Sequence, residues 1–190
     1  EYNCRVFNLS FGDSRKPYLG GHVRGLAYTL DRLSRELGVL FIVSAGNVLP
    51  SHLDGLAWRQ DYPQYLLNDE WAIIDPATAL NVLTIGSLAR WEANRNTQRF
   101  TRDPAELPIA KTEQPSPFTR HGPTVGGAIK PELVAFGGNW ALNARGGANN
   151  INDDGLGELS TSFDFSQGRL LGVKCGTSFA APHITHLAGK

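Results

Sequence analysis

The stretch Val39-Leu40-Phe41-Ile42-Val43, followed by Ser44-Ala45-Gly46-Asn47, decides the fold class of this chain. Five consecutive apolar residues are typical of a parallel strand that is buried on both faces. Such strands occur in α/β proteins, where helices cover both faces of the sheet. The stretch therefore predicts a buried strand whose carboxyl end, at residues 44–47, borders the crevice where ligands bind in such sheets.

The residues before this strand predict a second strand and a helix. Apolar residues spaced by three and four form one helical face over residues 20–37, and Gly38 stands where a helix commonly ends. Residues 4–11 read as a strand that ends at Gly12. Strand, helix and strand in this order predict a βαβ unit with a right-handed crossover.

The rest of the chain extends this pattern. Residues 81–87 and 132–136 predict further strands, and residues 177–189 predict a helix. We therefore predict a three-layer α/β/α fold with a mostly parallel central sheet. The remaining segments read as loops: residues 48–75 and 90–117 as solvated insertions, and residues 137–158, rich in glycine and asparagine, as a mobile surface segment.

Composition excludes several classes of protein. The 190 residues carry 18 basic and 18 acidic side chains, so the formal net charge is zero. This balance argues against a nucleic-acid partner, because no excess of positive charge attracts a polyanion. No apolar run approaches the roughly 20 residues of a membrane span, which argues against a membrane partner. With 41% hydrophobic and 19% charged residues, the chain is expected to fold around a core.

The two cysteines, Cys4 and Cys175, are too few for a disulfide scaffold. Both lie in apolar stretches, so we expect each to be a buried free thiol. Unpaired thiols favour a reducing compartment, and the expected location is therefore the cytoplasm.

Chemistry first appears near the C-terminal helix, in Gly176-Thr177-Ser178-Phe179-Ala180-Ala181-Pro182-His183. A serine where a glycine-containing turn enters a helix exposes its hydroxyl beside free backbone N–H groups, which can stabilise an oxyanion. Read alone, the motif is better explained as a Thr or Ser N-cap on an ordinary helix.

Asn47 is the second chemical candidate. At the carboxyl end of a parallel strand, its side-chain amide can reach the crevice as a neutral donor. Read alone, it is better explained as a turn asparagine that tolerates an unusual backbone angle.

Together these motifs resemble those of subtilisin-like serine proteases, in the same order along nearly the whole chain. The resemblance rests on a substrate-pairing strand, a pocket wall with an oxyanion asparagine, a Pro-Ala turn whose proline is often cis, two segments before the nucleophile, and the nucleophile signature. The segments are, in that order, Val6-Phe7-Asn8-Leu9-Ser10-Phe11-Gly12, Val43-Ser44-Ala45-Gly46-Asn47, Asp75-Pro76-Ala77, Phe118-Thr119-Arg120-His121-Gly122-Pro123, Lys130-Pro131-Glu132-Leu133-Val134-Ala135 and the motif at residues 176–183.

The resemblance implies a role for each matching residue. Ser178 is expected to be the nucleophile, and Asn47 to donate to the oxyanion together with the Ser178 backbone N–H. Ser10, Phe11 and Gly12 are expected to pair with an extended polypeptide substrate by β-augmentation. Ser44, Ala45 and Gly46 are expected to line the pocket for the residue before the scissile bond.

The family's acid and base do not match any segment of this chain. Both are expected to precede residue 1, because the family orders its triad Asp, His, Ser. We therefore expect residues 1–190 to be the C-terminal portion of a catalytic domain that is incomplete on its N-terminal side, with residues 90–117 as a surface insertion. The missing N-terminal part becomes an expected partner, and the isolated chain is expected to be inactive because a lone hydroxyl is a poor nucleophile.

Other candidate residues are assigned structural roles. Asp153-Asp154-Gly155-Leu156 reads as a surface turn, His22 as a surface or capping residue, and His183 and His186 as packing residues. No metal site is predicted and no cofactor is expected, although structural calcium is common in the family. Two alternatives stay open: a pseudoprotease or peptide-binding module that keeps the cleft without catalysis, and a non-proteolytic α/β ligand-binding domain.

Overall fold

The computed structural model describes residues 3–53, 57–92, 106–143, 149–150, 153 and 155–190. The strands are β1 (Val6–Leu9), β2 (Leu40–Ser44), β3 (Leu83–Leu88), β4 (Glu106–Pro108), β5 (Leu133–Phe136), β6 (Ala141–Asn143), β7 (Asn149–Asn150), β8 (Glu158–Thr161) and β9 (Leu171–Lys174). The α-helices are α1 (Gly25–Leu37), α2 (Trp58–Asp61) and α3 (Thr177–Ala188). Short 3-10 helices cover Pro50–Leu53, Gln64–Leu67, Asp69–Trp71, Val125–Gly127 and Phe163–Gln167.

The central sheet has four parallel strands in the order β1-β2-β3-β5. Val6 of β1 lies beside Leu40 of β2, and Ile42 of β2 lies beside Leu83 of β3. All four strands were predicted, and the mixed α/β class with a parallel central sheet is confirmed.

Side chains of β2 alternate between the two faces of the sheet and meet a different helix on each face. The cluster beneath α1 consists of Ala27, Leu30, Phe41, Val43, Ala45, Ile73, Ala77, Ala79 and Val82. The cluster beneath α3 consists of Ile42, Ile85, Ala180 and Ala181. The helices therefore form layers on opposite faces of the sheet, and the two alanines let α3 approach the strands closely.

The two ends of α1 are completed in different ways. At its start, the N-cap residue Arg24 makes no side-chain hydrogen bond, and the carboxylate of the distant Asp75 accepts from the Ala27 N–H at 3.0 Å instead. At its end, Gly38 adopts the left-handed conformation, with φ 61°, as its position in the sequence predicts. The bond between Asp75 and Pro76 is cis, in agreement with the Pro-Ala turn of the resembling family.

Two of the predicted loops contain residues of the hydrophobic core. Within residues 48–75 and 137–158, the aromatic residues Tyr65, Trp71 and Trp140 are buried, and Asn139 is completely inaccessible. Asn139 lies inside because its amide has partners there: it accepts from the Ala110 N–H and donates to the Ala110 carbonyl. The prediction of a solvated insertion is therefore wrong for the buried residues within 48–75, and the prediction of a surface position is wrong for the described part of residues 137–158.

The second sheet explains why these loops are buried. Strands β4, β6 and β7 pair antiparallel and lie against a second cluster of large side chains. That cluster consists of Val48, Tyr65, Leu66, Trp71, Phe118 and Trp140. Strand β4 and the buried Ala110 and Ser116 belong to the range predicted as a surface insertion, of which residues 93–105 lie outside the described residues.

The two cysteines differ from each other. Cys175 is a half-buried free thiol, whereas Cys4 is exposed, so the prediction that both are buried is wrong for Cys4. Cys4 lies two residues before β1, which ends the order of the central sheet among the described residues. Among the described helices, none is long and apolar enough to cross a membrane.

Candidate active site

Three elements meet at one corner of the central sheet. Strands β1 and β2 are parallel neighbours, so their carboxyl ends lie at the same edge of the sheet. The N-terminus of α3 lies at this edge too, since the hydroxyl of Ser10 donates to the carbonyl of Ser178 at 3.2 Å. The fold thus brings together all of the predicted site residues that follow β1, follow β2 or begin α3.

The side-chain amide of Asn47 is oriented by Thr177. Its oxygen accepts from the Thr177 backbone N–H at 2.9 Å and from the Thr177 hydroxyl at 3.0 Å. The same hydroxyl accepts from the Gly46 N–H at 3.2 Å, and Thr177 is completely buried. Because the amide oxygen is engaged twice, the amide nitrogen is the group that Asn47 has available for a ligand.

Gly176 permits this close approach. A Cβ atom built on Gly176 would lie 3.1 Å from Nδ2 of Asn47, and the φ angle of Gly176 is 156°, which residues with side chains rarely adopt. The N–H of Gly176 is anchored on the carbonyl of Gly137 at 2.8 Å. The start of α3 is therefore fixed against the loop after β2.

Ser178 is the second residue of α3 and is half-buried. Its hydroxyl donates to the carbonyl of Ser10 at 3.4 Å, which is a long hydrogen bond. Its backbone N–H has no acceptor within the described residues and lies at the positive end of the helix dipole. A hydroxyl beside two N–H donors, those of Ser178 and Asn47, can host the addition of an oxygen nucleophile to a carbonyl group.

Two segments flank this corner and differ in exposure. Ser44, Ala45 and Gly46 are buried, whereas Phe11 is 52% exposed and Gly12 is exposed. We call residues 44–47 the buried wall and residues 10–13 the exposed wall. An extended ligand can lie over this corner, with its backbone along the exposed wall.

A buried guanidinium supports the buried wall. Arg120 is only 2% exposed, and it donates to the carbonyl of Asn47 at 3.1 Å and to those of Glu70 and Ala72 at 3.1 and 2.9 Å. Burial lowers the pKa of this guanidinium, since the charged form is desolvated. Arg120 thus fixes the backbone of the residue whose amide faces the cleft.

None of the histidines in the described part of the chain hydrogen-bonds to Ser178. His121 contacts the carbonyls of Gly122 and Asn68, and His22 is exposed as predicted. His183 and His186 are exposed on α3, so the prediction that they pack is wrong. Nε2 of His183 lies 4.0 Å from Glu158, because it points away from the sheet towards strand β8.

The turn at Asp153 is not on the surface. Asp153 is 5% exposed, and its carboxylate accepts from the Gly155 N–H at 2.8 Å. The turn is therefore confirmed and its surface position is wrong, while Asp154 lies outside the described residues. No cluster of three or more metal-ligating side chains occurs in the part of the chain that the structure describes.

The sequence interpretation missed three residues of this site. Thr177 belongs to the nucleophile motif, but its role in orienting Asn47 was not predicted. Arg120 lies in a quoted segment, and Ile74, which lies between the two walls, precedes the Pro-Ala turn. In the sequence, these three residues are marked only by their positions in or beside a motif. Such a position does not show what a side chain contacts.

Two comparisons of the sequence found similar proteins. The sequence profile of the subtilase family matches residues 1–190. A relative from Sinorhizobium fredii (strain NBRC 101917 / NGR234), described as uncharacterized protein y4bN, is 37% identical over 198 residues. That match covers 100% of this chain and 44% of the relative, so the chain spans less than half of the relative's length.

Two solved structures are similar to this chain. A serine-to-alanine mutant of the protease domain of PatA is 17% identical, with a TM-score of 0.44, and the match covers 98% of this chain and 42% of that one. A psychrophilic protease is 20% identical, with a TM-score of 0.45, and the match covers 97% of this chain and 41% of that one.

Proposed function

Because the chain belongs to the subtilase family, we propose that it carries the nucleophile and the oxyanion donors of a serine endopeptidase. The observation that supports this most is the network that ties Asn47 to Thr177, directly beside Ser178. It leaves an amide N–H and a backbone N–H as donors next to a hydroxyl, which is the arrangement that acyl transfer requires.

In the proposed reaction the Ser178 hydroxyl attacks the carbonyl carbon of the scissile peptide. The hydroxyl proton passes to a base, while Asn47 and the Ser178 N–H stabilise the negative oxygen. The C–N bond then breaks, the amine leaves with that proton, and an ester remains on Ser178. Water hydrolyses the ester, releases the carboxylate and restores the hydroxyl.

The substrate is proposed to be a polypeptide whose backbone lies along the exposed wall. Along the exposed wall, Ser10, Phe11 and Gly12 follow directly from an edge strand, so an extended peptide can pair with their backbone. On the other side, Ser44, Ala45 and Gly46 face the side chain before the scissile bond.

The base and its carboxylate partner are proposed to come from a segment outside these 190 residues, as the family's order of triad residues implies. Ser178 donates only to a backbone carbonyl within the described residues, and a carbonyl cannot accept a proton as a base does. The isolated chain is therefore proposed to be inactive.

A fluorophosphonate probe, which reacts with activated serines, tests this proposal. The full-length protein is expected to be labelled, the Ser178→Ala variant not at all, and the isolated chain of 190 residues poorly. Thr29→Ala, a change on α1 away from the cleft, is the matched control and should label like the unaltered protein. Folded full-length protein that resists labelling would instead support a pseudoprotease that binds peptides without cleaving them.

A further inference from the structure

The space between the two walls is occupied by one side chain, that of Ile74. A Cβ atom built on Gly12 of the exposed wall would lie 2.7 Å from Cδ1 of Ile74. A Cβ atom built on Gly46 of the buried wall would lie 2.6 Å from the same methyl group. Since both distances are shorter than any real carbon contact, the methyl group touches the two glycine backbones and spans the gap between them.

Ile74 is held in this position by its neighbours in the chain. The carbonyl of Ile73 accepts from the Tyr18 N–H at 2.9 Å, and the Ile73 N–H donates to His121 at 2.7 Å. On the other side, the carbonyl of Asp75 accepts from the Asp13 N–H at 2.9 Å. The backbone on both sides of Ile74 is thus tied to other segments, and the residue cannot shift as a unit away from the cleft.

Rotation of the side chain does not open the gap either. Ile74 is 3% exposed, so its methyl groups are already in contact with protein on nearly all sides. Beside Gly46, the Cδ of Arg120 lies 3.1 Å from the position of a built Cβ, and Arg120 is itself fixed by three carbonyls. A large side chain that entered between Gly12 and Gly46 would therefore have to displace packed atoms.

We propose that Ile74 sets the specificity of this site, which accepts a small side chain (glycine, alanine or serine) at the residue before the scissile bond and rejects aromatic and long aliphatic ones. The inference rests on the proposed peptidase function, because it concerns the pocket beside the proposed nucleophile. A methyl side chain adds little volume at this position, whereas a benzyl group needs the volume that Ile74 fills.

Two phosphonate reagents test this proposal on the full-length protein. Each is a peptidyl diphenyl phosphonate that reacts with activated serines, and the two differ only in a methyl or a benzyl side chain next to phosphorus. The methyl reagent is expected to inactivate the protein at least about 100-fold faster than the benzyl reagent, because a mismatch in an apolar pocket changes rates by about 10- to 200-fold per methylene group.

Three variants assign that preference to Ile74. Ile74→Val removes the Cδ1 atom alone and is expected to raise the relative rate of the benzyl reagent about tenfold, while Ile74→Ala should raise it further. Ile73→Ala is the matched control, because Ile73 is completely buried in the cluster beneath α1 and does not lie between the walls. It should leave the ratio of the two rates unchanged.

The fluorophosphonate separates the two possible failures. If it does not label the unaltered protein, the proposed function is wrong, and the inference about the pocket falls with it. If it labels every variant at a similar rate and the methyl and benzyl reagents also react equally fast, the nucleophile stands and the role of Ile74 is refuted. An unchanged ratio in Ile74→Val would refute that role as well, even if Ile74→Ala does not fold.

Discussion

The two walls of the cleft end neighbouring strands and yet are built differently. The buried wall, residues 44–47, follows β2, which has strands on both sides and a helix over each face. The exposed wall, residues 10–13, follows β1, which pairs with one strand within the described residues. Internal hydrogen bonds fix the groups of the buried wall, whereas the exposed wall is held at Ser10 and Asp13.

This difference suggests that the two walls have different functions. Groups that must stabilise charge need a fixed position, since their stabilising effect depends on being oriented before the reaction. A surface that pairs with an extended peptide needs accessible backbone instead. The predictions below test whether buried groups are the fixed ones that stabilise charge and exposed groups are the ones that pair with the peptide.

The largest contrast is expected between the two thiols, Cys175 before α3 and Cys4 before β1. Burial raises the pKa of Cys175 to about 12. At pH 8 its thiolate fraction is therefore lower than that of an ordinary thiol by about a thousandfold. Alkylation by iodoacetamide, followed by mass spectrometry of the full-length protein, should modify Cys4 first and Cys175 about a thousandfold more slowly.

The pH dependence provides the check on this contrast. The rate at Cys175 should continue to rise as pH approaches 12, because its folded thiol loses its proton only there. Cys4→Ser should abolish the fast phase and leave the slow one. Equal rates at the two positions would show that the start of α3 is not protected.

The next contrast concerns the site donors. Asn47→Ala removes an amide that is oriented by Thr177, and the rate of fluorophosphonate labelling should fall about 10²–10³-fold, the loss measured for such a donor in subtilisin itself. Ser10→Ala removes one hydroxyl of the exposed wall, and its effect should stay below about tenfold. Comparable losses for both variants would contradict the division between the walls.

The stability of the walls is probed with two arginines. Arg120→Met leaves three carbonyls without their buried donor, and the free energy of unfolding should fall by about 2–3 kcal/mol. Arg15→Met removes a solvent-exposed partner of Asp13 and should leave the midpoint of urea unfolding unchanged. A larger effect at Arg15 would reverse the comparison.

The smallest contrast is in the loss of stability when either of the two glycines that touch Ile74 is replaced by alanine. Gly46→Ala meets the Ile74 side chain and also strains the backbone, because the φ angle of Gly46 is 96°. It should cost about 2 kcal/mol, against about 1 kcal/mol for Gly12→Ala, where only the steric contact arises. Thermal unfolding of both variants measures the difference, and the opposite order would place the strain in the exposed wall.

The sequence predicted the central sheet because its signals are local. The apolar run at residues 39–43 and the helical periodicity before Gly38 depend on neighbouring residues alone, and both are confirmed. Ser178 and Asn47 were found by their positions at element boundaries, and the structure places them together, while their catalytic roles stay predictions.

The second sheet and the interior of the loops were missed for a physical reason. Asn139 reads as a loop residue, but the backbone of Ala110 satisfies its amide and thereby allows its burial. The role of Arg120 was missed for the same reason, since nothing in the sequence shows that three distant carbonyls converge on its side chain. Partners far apart in the chain leave no local pattern.

The hydrogen bond between Ser10 and Ser178 joins residues that are 168 positions apart. A ribosome that adds about 5–20 residues per second needs roughly ten to thirty seconds to complete the second partner after the first. Until α3 has been synthesised, the face of the sheet that it covers stays open, and Ile42 and Ile85, once made, meet solvent or a chaperone instead. The cleft can therefore form only after residue 178 has been synthesised, and its assembly is a matter of synthesis time as well as of stability.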